Sequence, residues 1–443
     1  MKSYKEYYAV IDQKLVIQDF EGAISKIRNA KNKYYKEKER VLYYLDLGML
    51  HHYNRDYEKS NELLSKAENA IEELYTKSIS RAAVSLVIND NVLEYGGEDY
   101  ENIYLNIFKA LNYLGLNKFD DAFVEIRRIN NKLQLLEDKY EKKIRKYNLS
   151  KNAKSKYKAG KINFHNSALA RYLSLLLYRA ENKQDDARID LDKIREAWNS
   201  QSGVYDFKMP AMKNYLNRTD KARINFISFI GKSPDKKAKA LYIHTEKNLL
   251  VIASTDENPR GKQKLENFQV IPWDGIQEGY HFKFQIPYMN ERKTNIGKVK
   301  VIIDDEPVFT MEQIESIENI AVETFKIKEP IIYLKTITRA VTKGLFAEKR
   351  KEEMTEKINS SLLSFGVRLI ADAIIDASEN ADLRISRFFP AEALIGEIEI
   401  EPGIHNIKIQ YFSQAGILLY TDNIGEKNIK YNELNLIESF NLN

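Results

Sequence analysis

The chain has 443 residues, of which 30% are charged and 43% hydrophobic, and its net charge is +5. This length is enough for two or three domains with their own cores, and the nearly balanced charge argues against a dedicated nucleic-acid binder. The chain contains no cysteine, which excludes disulfides, thiolate metal sites, iron–sulfur clusters and cysteine nucleophiles.

The first 200 residues contain no proline and carry apolar residues at helical spacing, which predicts an all-α N-terminal domain over 1–200. Asp19-Phe20, followed by Ala23 and Ile27, has the pattern of the second helix of a tetratricopeptide (TPR) unit. Asp56-Tyr57 repeats this pattern after an interval close to the TPR period of about 34 residues. The spacing therefore predicts a TPR-like helical repeat array.

Two further units follow after an insertion. Lys118-Phe119 with Ala122 and Ile126 forms the third unit, and Ala187, Leu191 and Ile194 belong to a weaker fourth. Most aromatic residues here are expected to pack between helices. Stacked helix pairs form concave surfaces that hold peptides, so this half is predicted to bind a protein partner.

A basic stretch runs from Lys139 to Lys161 and is interleaved with tyrosines. It is either a surface for acidic lipid, acidic polymer or nucleic acid, or a solvated helix and linker. We favour the second interpretation, because no groove-reading motif accompanies the stretch. No nucleic-acid partner is predicted.

Period-two alternation dominates after residue 200 and predicts an α+β domain over 201–443 with a mainly antiparallel sheet. We predict a strand that ends at Pro287, a strand around Val301, a hairpin turning at Asn248, and a C-terminal β-meander with turns at Pro402-Gly403 and Ala415-Gly416.

Helices are predicted between these strand groups. Ile314, Ile317 and Ile320 share one helical face, and Pro330 is expected to open a second helix. A third helix is predicted at about 355–377, and its apolar stretch, residues 362–377, is too short and too charged to span a membrane. It packs on the sheet or docks onto a partner or a bilayer surface.

Motifs for chemistry are missing from the sequence. The six histidines lack metal-ligand spacing, and no nucleophile elbow, dinucleotide fingerprint or phosphate-binding loop occurs. We therefore predict a protein that is not an enzyme and that uses no cofactor and no metal.

Several strings in consistent order resemble a family of uncharacterised bacterial cell-envelope lipoproteins with a TPR-like N-terminal half. The strings are Leu86-Val87-Ile88-Asn89-Asp90, Ala110-Leu111-Asn112-Tyr113-Leu114, Val124-Glu125-Ile126-Arg127-Arg128-Ile129-Asn130, Ala170-Arg171-Tyr172-Leu173-Ser174 and Ala381-Asp382-Leu383-Arg384-Ile385-Ser386. The resemblance implies a lipid-anchored, periplasm-facing protein without established enzymatic activity. This chain begins Met1-Lys2 without a signal or an acylated cysteine, so a cytoplasmic location is expected if Met1 is the native start.

Candidate site residues come from these strings. Glu125, Arg127 and Arg128 form either a buried ion-pair clamp or a carboxylate-binding site. Asp382 and Arg384 would form a polar ridge that docks the two domains. The full candidate set, for partner binding or for a structural clamp, is Tyr113, Glu125, Arg127, Arg128, Asn130, Arg171, Tyr172, Asp382 and Arg384.

These patterns favour a non-enzymatic cell-envelope scaffold that binds a partner protein, a component of the envelope or cell-wall machinery, through its TPR-like groove. Two alternatives stay open. One is a glycan-binding or hydrolytic protein with a site in the C-terminal domain, for which a polar cleft near Asp382, Arg384 and His405 would speak. The other is a cytosolic TPR adaptor.

Overall fold

The computed structural model describes residues 2–80, 91–149, 161–257, 263–356 and 380–443. In the N-terminal half of the described chain it shows α-helices, four pairs of which are joined by short turns. They are α1 (Lys2–Val16), α2 (Phe20–Asn29), α3 (Lys31–Tyr34), α4 (Arg40–Tyr53), α5 (Tyr57–Ser80), α6 (Asp99–Gly115), α7 (Phe119–Asn148), α8 (Ala168–Ala180) and α9 (Gln184–Ser200). The predicted helical N-terminal half is confirmed.

Four helical hairpins, α1–α2, α4–α5, α6–α7 and α8–α9, share one turn geometry. The residue at the centre of each turn has a left-handed backbone; these residues are Gln18, Arg55, Asn117 and Asn182. The next N–H bonds to a carbonyl five positions back, as Lys118 does to Tyr113 at 2.8 Å, which is the Schellman pattern. The hairpins repeat, while their assignment as TPR units stays a prediction.

The C-terminal half contains three four-stranded sheets and one long helix among the described residues. The elements are β1 (Ala222–Ile230), β2 (Asp235–Glu246), β3 (Leu249–Glu257), β4 (Gln263–Pro272), β5 (His281–Asn290), β6 (Ile296–Ile303), β7 (Glu306–Thr310), β8 (Glu312–Ser316), α10 (Ile317–Glu356), β9 (Glu392–Ile400), β10 (Gly403–Ser413), β11 (Leu418–Ile429) and β12 (Asn435–Asn441). The predicted α+β class is confirmed.

Strand order defines the sheets. The first sheet runs β12–β1–β9–β8, the second β11–β10–β6–β7 and the third β4–β3–β2–β5. Every pairing is antiparallel except that of β1 with β12. Phe226 of β1, for example, lies opposite Gly396 of β9 and Ile437 of β12.

Three sequence predictions about the strands need correction. Strand β5 passes through Pro287, which lies opposite Ala238, because an edge strand tolerates a missing N–H. The turn at Pro402-Gly403 does not join neighbouring strands of a meander, because β9 and β10 belong to different sheets. Ile314 lies in β8 and not in a helix. The hairpins turning at Asn248 and at Ala415-Gly416 are confirmed.

Helix α10 also differs from its prediction, because it continues through Pro330 and does not begin there. Buried residues on both sides of the proline, Ile327 before it and Leu334 and Ile337 after it, hold both halves of the helix against the protein. Tertiary packing thus outweighs the local cost of the proline. The helix predicted at about 355–377 and its apolar stretch, residues 362–377, lie outside the described residues but for 355 and 356, which end α10.

The first sheet lies between the helices and the second sheet. Along β1, Ile227 and Phe229 point into the helical core, while Ile224 and Phe226 point into the core shared with the second sheet. The third sheet packs on α10. One hydrophobic core thus runs from the N-terminal helices into the first sheet across residue 200. The division at 200/201 stays a prediction. In the described residues no helix is long and apolar enough to cross a membrane.

Because Phe229 is fully buried where helices and sheet meet, we expect Phe229→Ala to lower the free energy of unfolding by about 3–5 kcal/mol. Ile417→Ala, at a side chain that is 65% exposed, should change it by less than about 0.5 kcal/mol. Urea denaturation followed by circular dichroism measures both. Equal effects would contradict the shared core.

Candidate functional site

The structure places Glu125 and Arg128 in a polar cluster between α5, α6 and α7. Glu125 accepts a hydrogen bond from Asn106 at 2.5 Å and pairs with Lys109 at 3.0 Å. Lys109 also pairs with Glu68 at 2.8 Å, and both partners are almost fully buried. Arg128, half exposed, reaches Glu68 at 3.0 Å. These contacts join three helices and leave the Glu125 carboxylate engaged.

Glu68 is the centre of this cluster. Lys132 donates to its second oxygen at 2.8 Å. Although burial alone would raise it, Lys132 and Lys109 lower the pKa of the Glu68 carboxyl to about 2. The positive and negative charges of the cluster therefore balance one another.

The remaining predicted residues of the helical half have separate contacts. Arg127 is exposed and stacks 5.9 Å from the ring of Phe123, and Asn130 is half-buried on α7. Tyr113 is half-buried on α6, and Arg171 of α8 pairs with Asp190 at 3.1 Å. Tyr172 is fully buried, with its ring 6.1 Å from that of Tyr215. The structure therefore does not assemble the predicted residues into one site.

Removing one charge from the buried cluster should be costly. We expect Lys109→Met to lower the free energy of unfolding by about 3–5 kcal/mol, because Glu68 and Glu125 would stay buried with too little positive charge. Lys66→Met breaks an exposed pair with Glu62 and should cost less than about 1 kcal/mol. Chemical denaturation of both variants is the measurement, and similar losses would contradict a structural role for the cluster.

Residues 380–391, which we call the connecting segment, cross the helical half without regular secondary structure. Asp382 accepts two side-chain hydrogen bonds from Arg384, at 2.9 and 2.7 Å. Although burial opposes it, Arg384 lowers the pKa of the Asp382 carboxyl. Arg384 also donates to the carbonyl of Leu93 at 3.0 Å and stacks over Tyr95 at 5.5 Å. These two predicted residues thus bind the segment to the helical half.

His405 does not join Asp382 and Arg384. It lies on β10 of the second sheet, where its ring nitrogens face the carboxylate of Asp304 at 2.7 Å and the carbonyl of Glu401 at 2.9 Å. These three residues therefore do not form the polar cleft that would have favoured a glycan-binding or hydrolytic site.

Two buried carboxyl groups hold the connecting segment. Asp46 accepts from the Ser386 hydroxyl at 2.8 Å and from the Tyr35 hydroxyl at 2.8 Å. Glu101 accepts from the Ser386 amide at 2.5 Å and from the Tyr95 hydroxyl at 2.7 Å. Burial raises the pKa of Asp46 to about 6, and burial together with the nearby Glu98 raises that of Glu101 to about 7.

The inner face of the helical hairpins, formed by α4, α6 and α8, is covered by the chain itself. Tyr53 of α4 donates to the carbonyl of Phe388 at 2.8 Å. The Phe108 ring of α6 packs 5.0 Å from that of Phe229 and 5.9 Å from that of Phe389. The connecting segment and the first sheet therefore occupy the face on which repeat arrays carry ligands.

Glu315 anchors the first sheet to the same face. This fully buried carboxylate of β8 accepts hydrogen bonds from the hydroxyls of Tyr104, Ser167 and Tyr205 and from the Leu169 amide, at 2.5 to 3.0 Å. All four donors are neutral, and burial raises the pKa of Glu315. The sheet edge is thus fixed at the start of α8.

The raised pKa values of these buried carboxyl groups make the free energy of unfolding depend on pH. The folded pKa of Glu101 lies above its usual 4.5, so the folded state binds more protons between about pH 4.5 and 7 and the free energy of unfolding falls as pH rises through that window. For Glu101 alone the fall is about 3 kcal/mol. Glu101→Gln should flatten this slope, and Glu58→Gln on the exposed face of α5 should not. Urea titrations between pH 4 and 8 measure how the free energy of unfolding changes with pH. Identical slopes for the two variants would contradict the role of Glu101.

A cleft of about 210 Å³ opens where the turns of α4–α5 and α6–α7 meet the C-terminal strands. Its polar lining includes Arg55, Lys427 and Glu438, and its apolar lining includes Tyr57, Phe119, Leu434 and Leu436. Among the described residues the side chains of Arg55 and Lys427 have no hydrogen-bond or ion-pair partner. The cleft therefore presents two unpaired cations beside apolar side chains.

Glu438 differs from these cations because its side chain has a hydrogen-bond partner, His52. Ser60 donates its only hydroxyl proton to the carbonyl of Gly48, so it accepts from the amide nitrogen of Asn112. The amide oxygen of Asn112 then faces Nδ1 of His52 at 2.7 Å, which must carry a proton. Nε2 of His52 lies 2.9 Å from Glu438, so this carboxyl group has a side-chain partner inside the protein.

The cleft also exposes a free sheet edge. Strand β12 pairs with β1 on one side, and no strand in the described ranges pairs with its other side. The carbonyl of Phe440 points outward and accepts from the side chain of Gln18 at 3.2 Å, which closes the C-terminal end of the edge. Peptide groups of every second residue in a strand point to the same side. Leu436 and Glu438 lie four and two residues before Phe440, so their peptide groups also point outward, into the cleft.

Sequence reasoning missed this cleft. Arg55 occupies a turn position that a repeat pattern treats as variable, and the alternation of Leu434, Leu436 and Glu438 was the available signal for a half-buried strand. Comparison with protein-family models, curated proteins and solved structures finds no match. Among the described residues no cluster of histidine and carboxylate side chains could hold a metal ion.

Proposed function

We propose that this protein is a non-enzymatic scaffold of the cell envelope that holds a partner protein. The sequence hypothesis put the partner in the groove of the helical repeats. The inner face of α4, α6 and α8 carries the chain's own residues, so we assign the partner to the cleft at the turn end of the same helices. The observation that carries this proposal is the pair of cations, Arg55 and Lys427, that have no ion-pair partner in the described chain and lie beside a free sheet edge.

The class of ligand follows from the lining of the cleft. A peptide offers backbone groups for the edge of β12, apolar side chains for Leu434 and Leu436, and carboxylates for the two cations. The buried carboxyl groups of Asp46 and Glu101 hold the connecting segment, which gives them a structural role.

A photocrosslinker tests the binding site. We expect p-benzoylphenylalanine in place of Phe119, which lines the cleft and is 38% exposed, to capture one dominant protein from cell extract. The same residue in place of Ile189, exposed on α9, is the matched control. Capture should be lost when Arg55→Glu and Lys427→Glu are added. A captured set that is the same at both positions would refute a partner site in the cleft.

The envelope location rests on the resemblance to cell-envelope lipoproteins. Fractionation of the native full-length gene product tests it: the protein should sediment with membranes and be released by detergent. Recovery in the cytosol would discard the envelope assignment and promote the cytosolic adaptor, while the crosslinking test of the cleft would stand unchanged.

A further inference from the structure

We infer that the cleft takes an extended, acidic segment of its partner, which adds as a strand to the outer edge of β12. This inference rests on the proposed function, because it names the form and charge of the segment that the cleft would hold. Three properties of the described residues carry it: the direction of the free peptide groups, the charge balance and the arrangement of the walls.

The free peptide groups fix the form of the ligand. Peptide groups of Leu436 and Glu438 face the cleft, and one strand edge is a template for a further strand. Gln18 occupies the edge at Phe440 and is itself held by the Tyr420 hydroxyl at 3.0 Å. The free edge therefore ends before Phe440, which limits an added strand to a few residues.

The charge balance fixes the sign of the ligand. Glu438 contacts His52 at 2.9 Å, while the side chains of Arg55 and Lys427 line the cleft without hydrogen-bond or ion-pair partners in the described chain. Asp422 faces Arg55 from β11, where Arg55 lowers its pKa against the larger effect of burial, and it offsets part of this charge. The lining itself carries these two cations against the one carboxyl group of Glu438, which already contacts His52, and carboxylates are the side chains that complement the cations.

The walls fix the alternation. An extended strand directs successive side chains to opposite sides. The lining includes the apolar groups of Leu434, Leu436 and Tyr57 and the cations Arg55 and Lys427. A segment that alternates acidic with apolar residues offers contacts to both kinds of group.

Fluorescence anisotropy tests the charge. The probe is a fluorescein-labelled heptapeptide in which acidic residues alternate with valine, and the reference is the same peptide with lysine at each acidic position. We expect the acidic peptide to bind at least about tenfold more tightly, with an affinity that falls as salt rises. Equal affinities for the two peptides would overturn the acidic assignment.

Charge-reversal variants locate the binding. Arg55→Glu with Lys427→Glu should weaken the acidic peptide at least about tenfold. Arg218→Glu with Lys298→Glu makes the same change in net charge at exposed positions outside the cleft and should leave affinity within about twofold. Circular dichroism confirms that both proteins are folded. Equal weakening in the two variants would mean non-specific attraction and would overturn the site.

Backbone methylation tests the added strand. Two further peptides carry N-methyl groups on alternate residues, one on the odd and one on the even positions. Only one edge of an added strand bonds to β12, so one methylated peptide should lose binding at least about tenfold and the other should keep it. Loss by neither would exclude strand addition.

The two proposals fail differently. If the crosslinker at Phe119 captures a partner but the acidic peptide does not bind, the extended acidic form is wrong and the scaffold function stands. If the crosslinker captures nothing above the Ile189 control, the partner site itself is wrong. A captured second copy of this chain would likewise replace the proposed partner with self-association.

Discussion

The architecture depends on carboxyl groups buried between the helices and the first sheet. Asp46, Glu101 and Glu315 lie where water is excluded, and their hydrogen bonds come from neutral hydroxyls and amides. Each bond fixes a donor from another part of the chain, because a buried carboxylate left without donors is expensive. These three acids therefore hold the connecting segment and the sheet edge at one position on the helices.

Ion pairs act elsewhere in the same layer. The Glu68 cluster joins α5, α6 and α7, and a second cluster around Glu98 joins α6 to β2 through Lys236 and to α10 through Lys328. Although burial opposes it, the two lysines lower the pKa of Glu98. Ion pairs thus connect elements that are distant in sequence. The carboxyl groups that accept hydrogen bonds from neutral donors hold the connecting segment and the first sheet on the inner face of the helices.

The position of the cleft follows from the filling of the inner face. The connecting segment and the first sheet occupy the inner face of α4, α6 and α8. The turns at the ends of the hairpins stay accessible, and there Gln18 and Arg55 lie along the outer side of β12. Both residues have the left-handed backbone that ends their helices. The proposed binding surface therefore combines turns from the helical half with an edge from the C-terminal half.

Local signals in the sequence determined the helical hairpins, the antiparallel strands and the turns at Asn248 and Ala415-Gly416, because periodicity and turn residues act over a few positions. Pro330 and Pro402-Gly403 were misread, because their outcome depends on packing far along the chain. Glu125 and Arg384 were singled out, but their partners on other elements, Lys109 and the carbonyl of Leu93, could not be named. Only the tertiary structure decided that the inner face is filled and that the cleft lies at β12, since both depend on contacts across more than 300 residues of sequence.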